Sequence, residues 1–133
     1  MQARDSGEAD RILTLYSLEY GKIRAMAYGS VRPASRKRGA TQPFCRSRFF
    51  FTRGKDLCRV DQAEVLEYFQ GIEEDVKRLG FASYFAELVS GFAPEEVSNR
   101  PLYYLLVESL RLLCPAEPEL LARAFEIRLL TLT

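Results

Sequence analysis

The sequence contains no histidine and no tryptophan, and its three cysteines, Cys45, Cys58 and Cys114, lie far apart. A cysteine nucleophile normally needs a histidine base, so the usual route to cysteine catalysis is missing. The cysteines form no C-x-x-C pair, and no phosphate-cradling glycine motif is present. An odd number of separated cysteines is typical of reduced thiols in a cytoplasm. We therefore expect no enzymatic activity, no metal and no cofactor.

Long apolar runs are also missing. No stretch of about 18 apolar residues is present, and the N-terminus has no apolar signal-peptide region. The chain has 133 residues, of which 47% are hydrophobic, so it is long enough for one ordinary domain or two small ones with a buried core. These features predict a cytoplasmic protein that does not contact a membrane.

Acidic residues are missing from one long stretch. From Lys22 to Lys55, 34 residues carry ten Lys or Arg and no Asp or Glu. Residues 1–60 hold 13 basic and 5 acidic side chains, a net charge of +8, whereas residues 61–133 hold 6 and 13, a net charge of −7. The basic half is a candidate phosphate-binding surface, because clustered Lys and Arg attract nucleic acid.

The first half of the chain has the pattern of β-strands. In residues 22–28, Ile23, Ala25 and Ala27 alternate with larger or charged side chains, which is the period of a strand. Residues 44–52 alternate in the same way, with Phe49 and Phe51 on one face and Phe50 on the other. Further strands are predicted over 12–20 and roughly 57–66, and a short fifth strand around 2–4. Residues 29–43 are predicted to form a long exposed loop.

The second half has the spacing of α-helices. Apolar residues recur at helical intervals from Ile72 until Gly91 and Pro94. Asn99 followed by Pro101 is a helix start signal, and residues 120–132 predict a third helix. Strands followed by helices indicate an α+β fold. We place a barrel-like strand domain at residues 1–68 and a small helical domain at residues 69–133, which ends without a capping glycine and is expected to be truncated.

Several short segments keep a characteristic order along nearly the whole chain. They are Gly7-Glu8-Ala9-Asp10-Arg11, Glu19-Tyr20-Gly21-Lys22-Ile23-Arg24, Gly29-Ser30-Val31-Arg32, Ser35-Arg36, Gln42-Pro43-Phe44, Asp61-Gln62-Ala63-Glu64-Val65-Leu66, Ala82-Ser83-Tyr84 with Glu87-Leu88, and Phe125-Glu126 with Leu129-Leu130. Each segment alone is weakly specific. In this order and spacing they resemble the bacterial RecO family of DNA repair and recombination mediators.

The resemblance implies an N-terminal five-stranded OB-fold β-barrel followed by a helical domain. It also implies binding of single- and double-stranded DNA, annealing of complementary strands, and recombinase loading with RecR and single-stranded DNA-binding protein (SSB), often with RecF. Such a protein works on the bacterial nucleoid. The family commonly carries a four-cysteine zinc element further along, and the three cysteines here do not match it.

Basic and aromatic side chains of the first half form the predicted DNA site. Lys and Arg displace counterions from phosphates, and exposed aromatic rings of OB-folds stack on bases. The predicted DNA-binding residues are Lys22, Arg24, Tyr28, Arg32, Arg36, Lys37, Arg38, Arg46, Arg48, Phe50, Arg53 and Lys55. Three alternatives stay open. The first is a solvated basic surface that only aids solubility, and the second is a protein-interaction module whose basic barrel binds an acidic partner protein. The third is an enzyme fragment whose barrel is an anticodon-type binding appendage, which would require a catalytic domain elsewhere.

A second predicted site lies in the helical half. The resemblance implies that this half receives the acidic, Phe-ended tail of SSB, which needs an apolar pocket with basic neighbours. The predicted partner-binding residues are Arg100, Tyr103, Tyr104 and Arg111, with Phe81, Phe85 and Leu106 as possible groove residues. The alternative is that the arginines only pair with acidic neighbours such as Glu96 and Glu108.

Overall fold

In the computed structural model, the described residues are 2–5, 11–28, 44–55, 57–69 and 71–132. Strands come first and helices follow, which confirms the α+β expectation. The strands are β1 Gln2–Asp5, β2 Arg11–Ser17, β3 Gly21–Ala27, β4 Cys45–Thr52 and β5 Cys58–Tyr68. The helices in the described part are α1 Val76–Phe92, α2 Arg100–Leu112 and α3 Pro118–Leu132.

The strands form one sheet in the order β1-β2-β3-β5-β4. The β1–β2 and β4–β5 pairs are antiparallel, and β3 and β5 run parallel. The β4–β5 register shifts between Arg46 and Ser47 and again between Phe50 and Phe51. Each shift places an extra residue in β5, so the 8 residues of β4 face the 10 residues of β5 from Arg59 to Tyr68. Such bulges bend a strand and increase its twist.

Side-chain alternation in β3 and β4 follows the predicted faces. The buried cluster of the sheet contains Leu13, Ala25, Ala27, Cys58 and Val60, with Leu15, Phe49, Phe51 and Ala63 packed against it. Ile23, also predicted on the inner face of β3, is buried as well. Phe50 is 56% exposed, because its side chain points to the opposite side of β4 from its two phenylalanine neighbours. The sequence therefore predicted the inner and outer faces of these two strands correctly.

The chain divides into two compact units. One comprises Met1–Leu15 and Ile23–Tyr68, and the other comprises Tyr16–Lys22 and Phe69–Thr133. The predicted domains, 1–68 and 69–133, differ from these units only at Tyr16–Lys22. That segment, which continues β2 into β3, groups with the helices although the sequence pattern places it among the strands.

Backbone contacts explain why Tyr16–Lys22 belongs to the helical unit. The amide of Glu96 donates a hydrogen bond to the carbonyl of Lys22 at 2.9 Å, and Ser98 Oγ donates to the carbonyl of Leu18 at 3.0 Å. Gly21 has a φ of 69°, and a Cβ there would lie 2.1 Å from the carbonyl oxygen of Val97. Only glycine fits this approach, so the turn glycine is required by the connection between α1 and α2.

The start of α1 is fixed by Asp75 and Arg78. Asp75 Oδ1 accepts hydrogen bonds from the amides of Lys77 at 2.9 Å and Arg78 at 3.3 Å, which is N-capping geometry. The Arg78 guanidinium also donates to the carbonyls of Leu113 at 2.7 Å and Cys114 at 3.2 Å. One arginine therefore ties the start of α1 to the end of α2. The helix begins at Val76, four residues later than predicted. Ile72 is buried in the segment before the cap, so its apolar side chain extended the helical pattern beyond the helix itself.

The second helix begins where its capping signal predicts, and α3 begins at Pro118, two residues before the predicted start at 120. Asn99 Oδ1 accepts from the amide of Leu102 at 3.1 Å, with Pro101 in the first turn of α2. The helical unit is held by the stacked rings of Phe85 and Phe125, whose centroids are 4.4 Å apart. Both rings are almost fully buried. These features confirm the predicted start of α2 and assign Phe85 to the core.

Candidate nucleic-acid interface

The side of the sheet opposite the buried cluster carries most of the described DNA-site candidates; we call it the outer face. Its register is Met26 on β3 beside Arg59 on β5, which in turn lies beside Thr52 on β4. Arg24 and Tyr28 lie two residues either side of Met26, and both are exposed. Residues at even spacing in a strand share a face. The outer face therefore brings the predicted residues of β3 and β4 to one surface, with β5 between them.

Two predicted DNA-binding arginines on this face are held by glutamates of β5. Arg46 Nε lies 3.2 Å from Glu67 Oε1, and Arg48 Nη1 lies 3.1 Å from Glu64 Oε1. The partners are directly opposite each other in the β4–β5 register, where opposite charges stabilise strand pairing. We call these two cross-strand pairs the ion-pair row. The row neutralises charges that the sequence pattern assigned to phosphate binding.

Asp61 adds a third carboxylate to the outer face. It accepts a hydrogen bond from Thr52 Oγ1 at 2.6 Å and one from Arg59 Nε at 3.0 Å. Sequence reasoning missed this role, because Asp61, Glu64 and Glu67 were counted with the acidic second half. The strand predicted over roughly 57–66, after the basic turn, was the available signal that these carboxylates lie in the sheet. The pairing register with β4 was needed to identify their partners.

Aromatic rings remain accessible on the outer face. Phe50 is 56% exposed and lies opposite Gln62, and Tyr28 is 53% exposed. Tyr68 at the end of β5, which the sequence did not single out, is also 58% exposed, but it lies opposite Cys45 and so belongs to the other face of the sheet. Exposed rings on a sheet provide flat apolar surfaces on which unpaired bases stack. The outer face therefore offers stacking surfaces beside neutralised arginines.

The remaining DNA-site candidates are distributed differently. Arg53 and Lys55 are exposed in the turn between β4 and β5. Lys22 is a member of the helical unit, where its Nζ donates to the carbonyl of Ser90 at 2.8 Å. That carbonyl is in the last turn of α1, where a lysine compensates the helix dipole. The loop candidates Arg32, Arg36, Lys37 and Arg38 lie outside the described residues.

The predicted partner site in the helical unit is only partly accessible. Tyr104 is 48% exposed and meets the half-buried Tyr103 edge-on, with centroids 5.3 Å apart. Arg111 Nη1 lies 2.8 Å from Glu108 Oε1, which is one of the pairings considered from the sequence. Leu106 is buried, so neither it nor Phe85 lines an open groove. Arg100 is exposed at the start of α2.

Among the residues that the structure describes, the titratable groups with shifted pKa values belong to the helical unit. A hydrogen bond from the Arg78 side chain lowers the pKa of Asp75, and the amide of Leu120 lowers the pKa of Glu117. A hydrogen bond to Glu126 raises the pKa of Tyr84, and burial raises the pKa of Tyr16. These shifts have local structural causes: caps, a side-chain pair and burial.

The described residues contain neither a metal site nor a membrane span. Among them, no group of three or more Cys, Asp or Glu side chains is arranged to hold a metal ion. None of the described helices is long and apolar enough to cross a membrane. None of the three cysteines forms a disulfide.

Comparison with known proteins places both halves of the chain in one family. The family model described as Recombination protein O N terminal matches residues 1–69, and the model described as Recombination protein O C terminal matches residues 73–133. Relatives named DNA repair protein RecO in Pelotomaculum thermopropionicum, Desulforudis audaxviator and Desulforamulus reducens are 52%, 48% and 45% identical. The alignments cover 99%, 95% and 98% of this chain, but 52%, 51% and 51% of those proteins. The chain therefore spans about half the length of the curated relatives it matches.

Proposed function

The chain belongs to the RecO family, and from that premise we propose that it is the DNA-binding part of a recombination mediator that acts in DNA repair. The support from known proteins is that its relatives are named DNA repair proteins. The role we propose is binding of single- and double-stranded DNA in the cytoplasm, on the nucleoid, and not catalysis. In this proposal, DNA binding serves strand annealing and recombinase loading.

The observation that carries the proposal is the stretch of ten basic and no acidic side chains from Lys22 to Lys55. Arg24, Arg53 and Lys55 from this stretch are exposed in the strand unit. Lys and Arg that contact phosphates release condensed counterions, which favours binding at low salt. The exposed rings of Tyr28 and Phe50 would then take bases of an unpaired strand.

An OB-fold barrel is the architecture we propose for the strand unit. The sheet order β1-β2-β3-β5-β4 leaves β1 and β4 as its two edges. Pairing of these edges would close the sheet into a five-stranded barrel, and closure removes exposed strand edges. The two β4–β5 register shifts support this interpretation, because bulges supply the curvature that barrels need.

Protein partners are proposed for the helical unit. The residues of this unit, 16–22 and 69–133, hold 7 Lys or Arg and 11 Asp or Glu, a net charge of −4. This charge disfavours DNA and leaves the unit to contact proteins such as RecR and SSB. The acidic SSB tail needs a basic spot beside apolar groups. Arg100 with the exposed Tyr104 is the place that we propose for it, since Arg111 is paired with Glu108.

Salt-titrated fluorescence anisotropy with a labelled single-stranded oligonucleotide tests the proposal. We expect the logarithm of the binding constant to fall linearly with the logarithm of the salt concentration, with a slope of about −0.7 for each phosphate contact. A labelled acidic peptide serves as the control for a basic surface that accepts any polyanion. Binding of the peptide without the oligonucleotide would favour the protein-interaction module instead.

A further inference from the structure

The ion-pair row occupies the surface that the proposed function gives to DNA. Arg48 and Glu64 each keep 59% of their side-chain surface exposed, so a ligand can reach the pair from solvent. Arg46 and Glu67 are more enclosed, at 33% and 26%. Phe50 follows Arg48 on the same face of β4 and is itself exposed. Two glutamates therefore stand at the positions where phosphates would have to approach the β4 arginines.

Carboxylate and phosphate oxygens compete for the same guanidinium groups. A phosphate that binds Arg48 must displace Glu64, which would then stand next to the phosphate as a like charge. An exposed pair is only weakly stable, so it can be displaced, but the displacement reduces the net gain. The ring of Phe50 is uncharged, so the carboxylates do not compete with a base that stacks on it. The outer face is thus less suited to phosphates than its arginine content indicates.

We infer that Glu64 and Glu67 act as built-in competitors of DNA phosphates and give the outer face a preference for single-stranded over duplex DNA. This inference rests on the proposed function. A duplex presents its phosphate backbone and keeps its bases stacked inside, so it must bind this face through arginines. An unpaired strand can instead place a base on Phe50 while its phosphates reach other basic groups. The glutamates therefore weaken the binding of duplex through the arginines, and they do not weaken the binding of an unpaired strand through Phe50.

Removing the two carboxylates tests the inference. We expect Glu64→Gln with Glu67→Gln to raise duplex affinity by roughly fivefold or more, since two arginines are released for phosphates. The salt dependence for duplex should become steeper by about 1.8, from two added contacts at about 0.9 each. Single-strand affinity should rise by a smaller factor, so that the preference for single strands narrows. Anisotropy with both labelled oligonucleotides measures these quantities.

A matched control separates local competition from overall charge. Glu73→Gln with Glu74→Gln changes the net charge by the same amount, at two exposed acids outside the outer face. We expect this control to raise both affinities slightly and to leave their ratio unchanged. We call the protein with Glu64→Gln and Glu67→Gln the row variant. If the control changes the two DNA affinities as the row variant does, the effect is one of net charge and the inference is wrong.

Arg48→Gln is also made alone and in the Glu64→Gln, Glu67→Gln background, which completes a mutant cycle. In that background, Arg48→Gln should remove at least half of the gain in duplex affinity. Thermal melting checks that each variant folds. If Glu67→Gln does not fold, Glu64→Gln alone is the test, because Arg48 and Glu64 form the more exposed of the two pairs. Failure of the wild-type protein to bind either DNA would overturn the proposed function and this inference with it. Binding by wild type without a selective gain in the row variant would overturn the inference alone.

Discussion

Gly21 is a residue whose backbone, rather than any side chain, makes the contact. Its φ of 69° and its approach to Val97 both exclude a Cβ. We expect Gly21→Ala to lower the free energy of unfolding by about 2 kcal/mol or more, because left-handed backbone alone costs roughly 1–2 kcal/mol for an L-residue. Urea unfolding followed by circular dichroism measures the loss. Gly80→Ala is the control: a Cβ at this position of α1 would have nothing within 4 Å, so the change should stabilise by about 0.5–1 kcal/mol.

Phe50 and Phe51 are adjacent residues with opposite surroundings. Phe50 is 56% exposed on the outer face, whereas Phe51 packs against the buried cluster of the sheet. Phe50→Ala should therefore lower single-strand affinity by about 1–3 kcal/mol, the range of one stacked base, and change stability by less than about 0.5 kcal/mol. Phe51→Ala should mainly destabilise the fold. Anisotropy and urea unfolding on the same samples separate the two effects, and unchanged affinity in Phe50→Ala would exclude stacking at this position.

At the scale of the element, α1 depends on the charge of Asp75. Its pKa is lowered by Arg78, so its contribution to stability is present above the unfolded-state pKa of about 3.9 and is lost as pH falls through the folded-state value. Asp75→Asn keeps a capping side chain but removes the charge. We expect the variant to be less stable than wild type at pH 7 and equal to it in strong acid. Asp75→Ala, which also loses the cap, should be less stable than Asp75→Asn at every pH. Urea unfolding from pH 7 to pH 2 measures this, and a pH-independent difference between wild type and Asp75→Asn would contradict it.

Elements with local signals were predictable, and contacts between distant segments were not. Alternation fixed the faces of β3 and β4, and Asn99 with Pro101 fixed the start of α2, because these signals are contained in a few neighbouring residues. The partner of Lys22 is 68 residues away, and the partners of Arg46 and Arg48 depend on two register shifts in β5. Neither can be inferred from spacing along one strand. The outward-facing positions on β3 and β4 were therefore predictable and the ionic partners of Arg46 and Arg48 were not, while DNA binding by these residues stays a prediction.

At the scale of the whole molecule, net charge is a poor guide to DNA binding. The overall value of +1 combines +8 over residues 1–60 with −7 over residues 61–133. A polyanion responds to the local field within a Debye length of roughly 10 Å, so the positions of the charges in the fold matter more than their sum. The ion-pair row crosses the division between the halves, since it balances two arginines of β4 with two glutamates of β5. Basic groups beyond the row must then supply most of the phosphate contacts.

That requirement leads to a prediction for Arg36, Lys37 and Arg38, the basic run between β3 and β4. Changing all three to Ala should weaken binding to every DNA sequence alike, because phosphate contacts carry no base information. The salt slope for single strands should flatten by about 2, from three contacts at about 0.7 each. Anisotropy titrations at several salt concentrations measure both quantities.

The matched control is Arg111→Ala with Arg123→Ala and Arg128→Ala, which removes the same charge from the helical half. Arg111 and Arg123 are paired with Glu108 and Glu126, and their half of the chain is strongly acidic, so DNA should not reach them. This variant should keep the wild-type slope. Equal slopes in wild type and the Arg36, Lys37 and Arg38 variant would move the phosphate contacts to Arg24, Arg53 and Lys55. A flattened slope in the control would show instead that DNA contacts the helical unit, contrary to the division of charge.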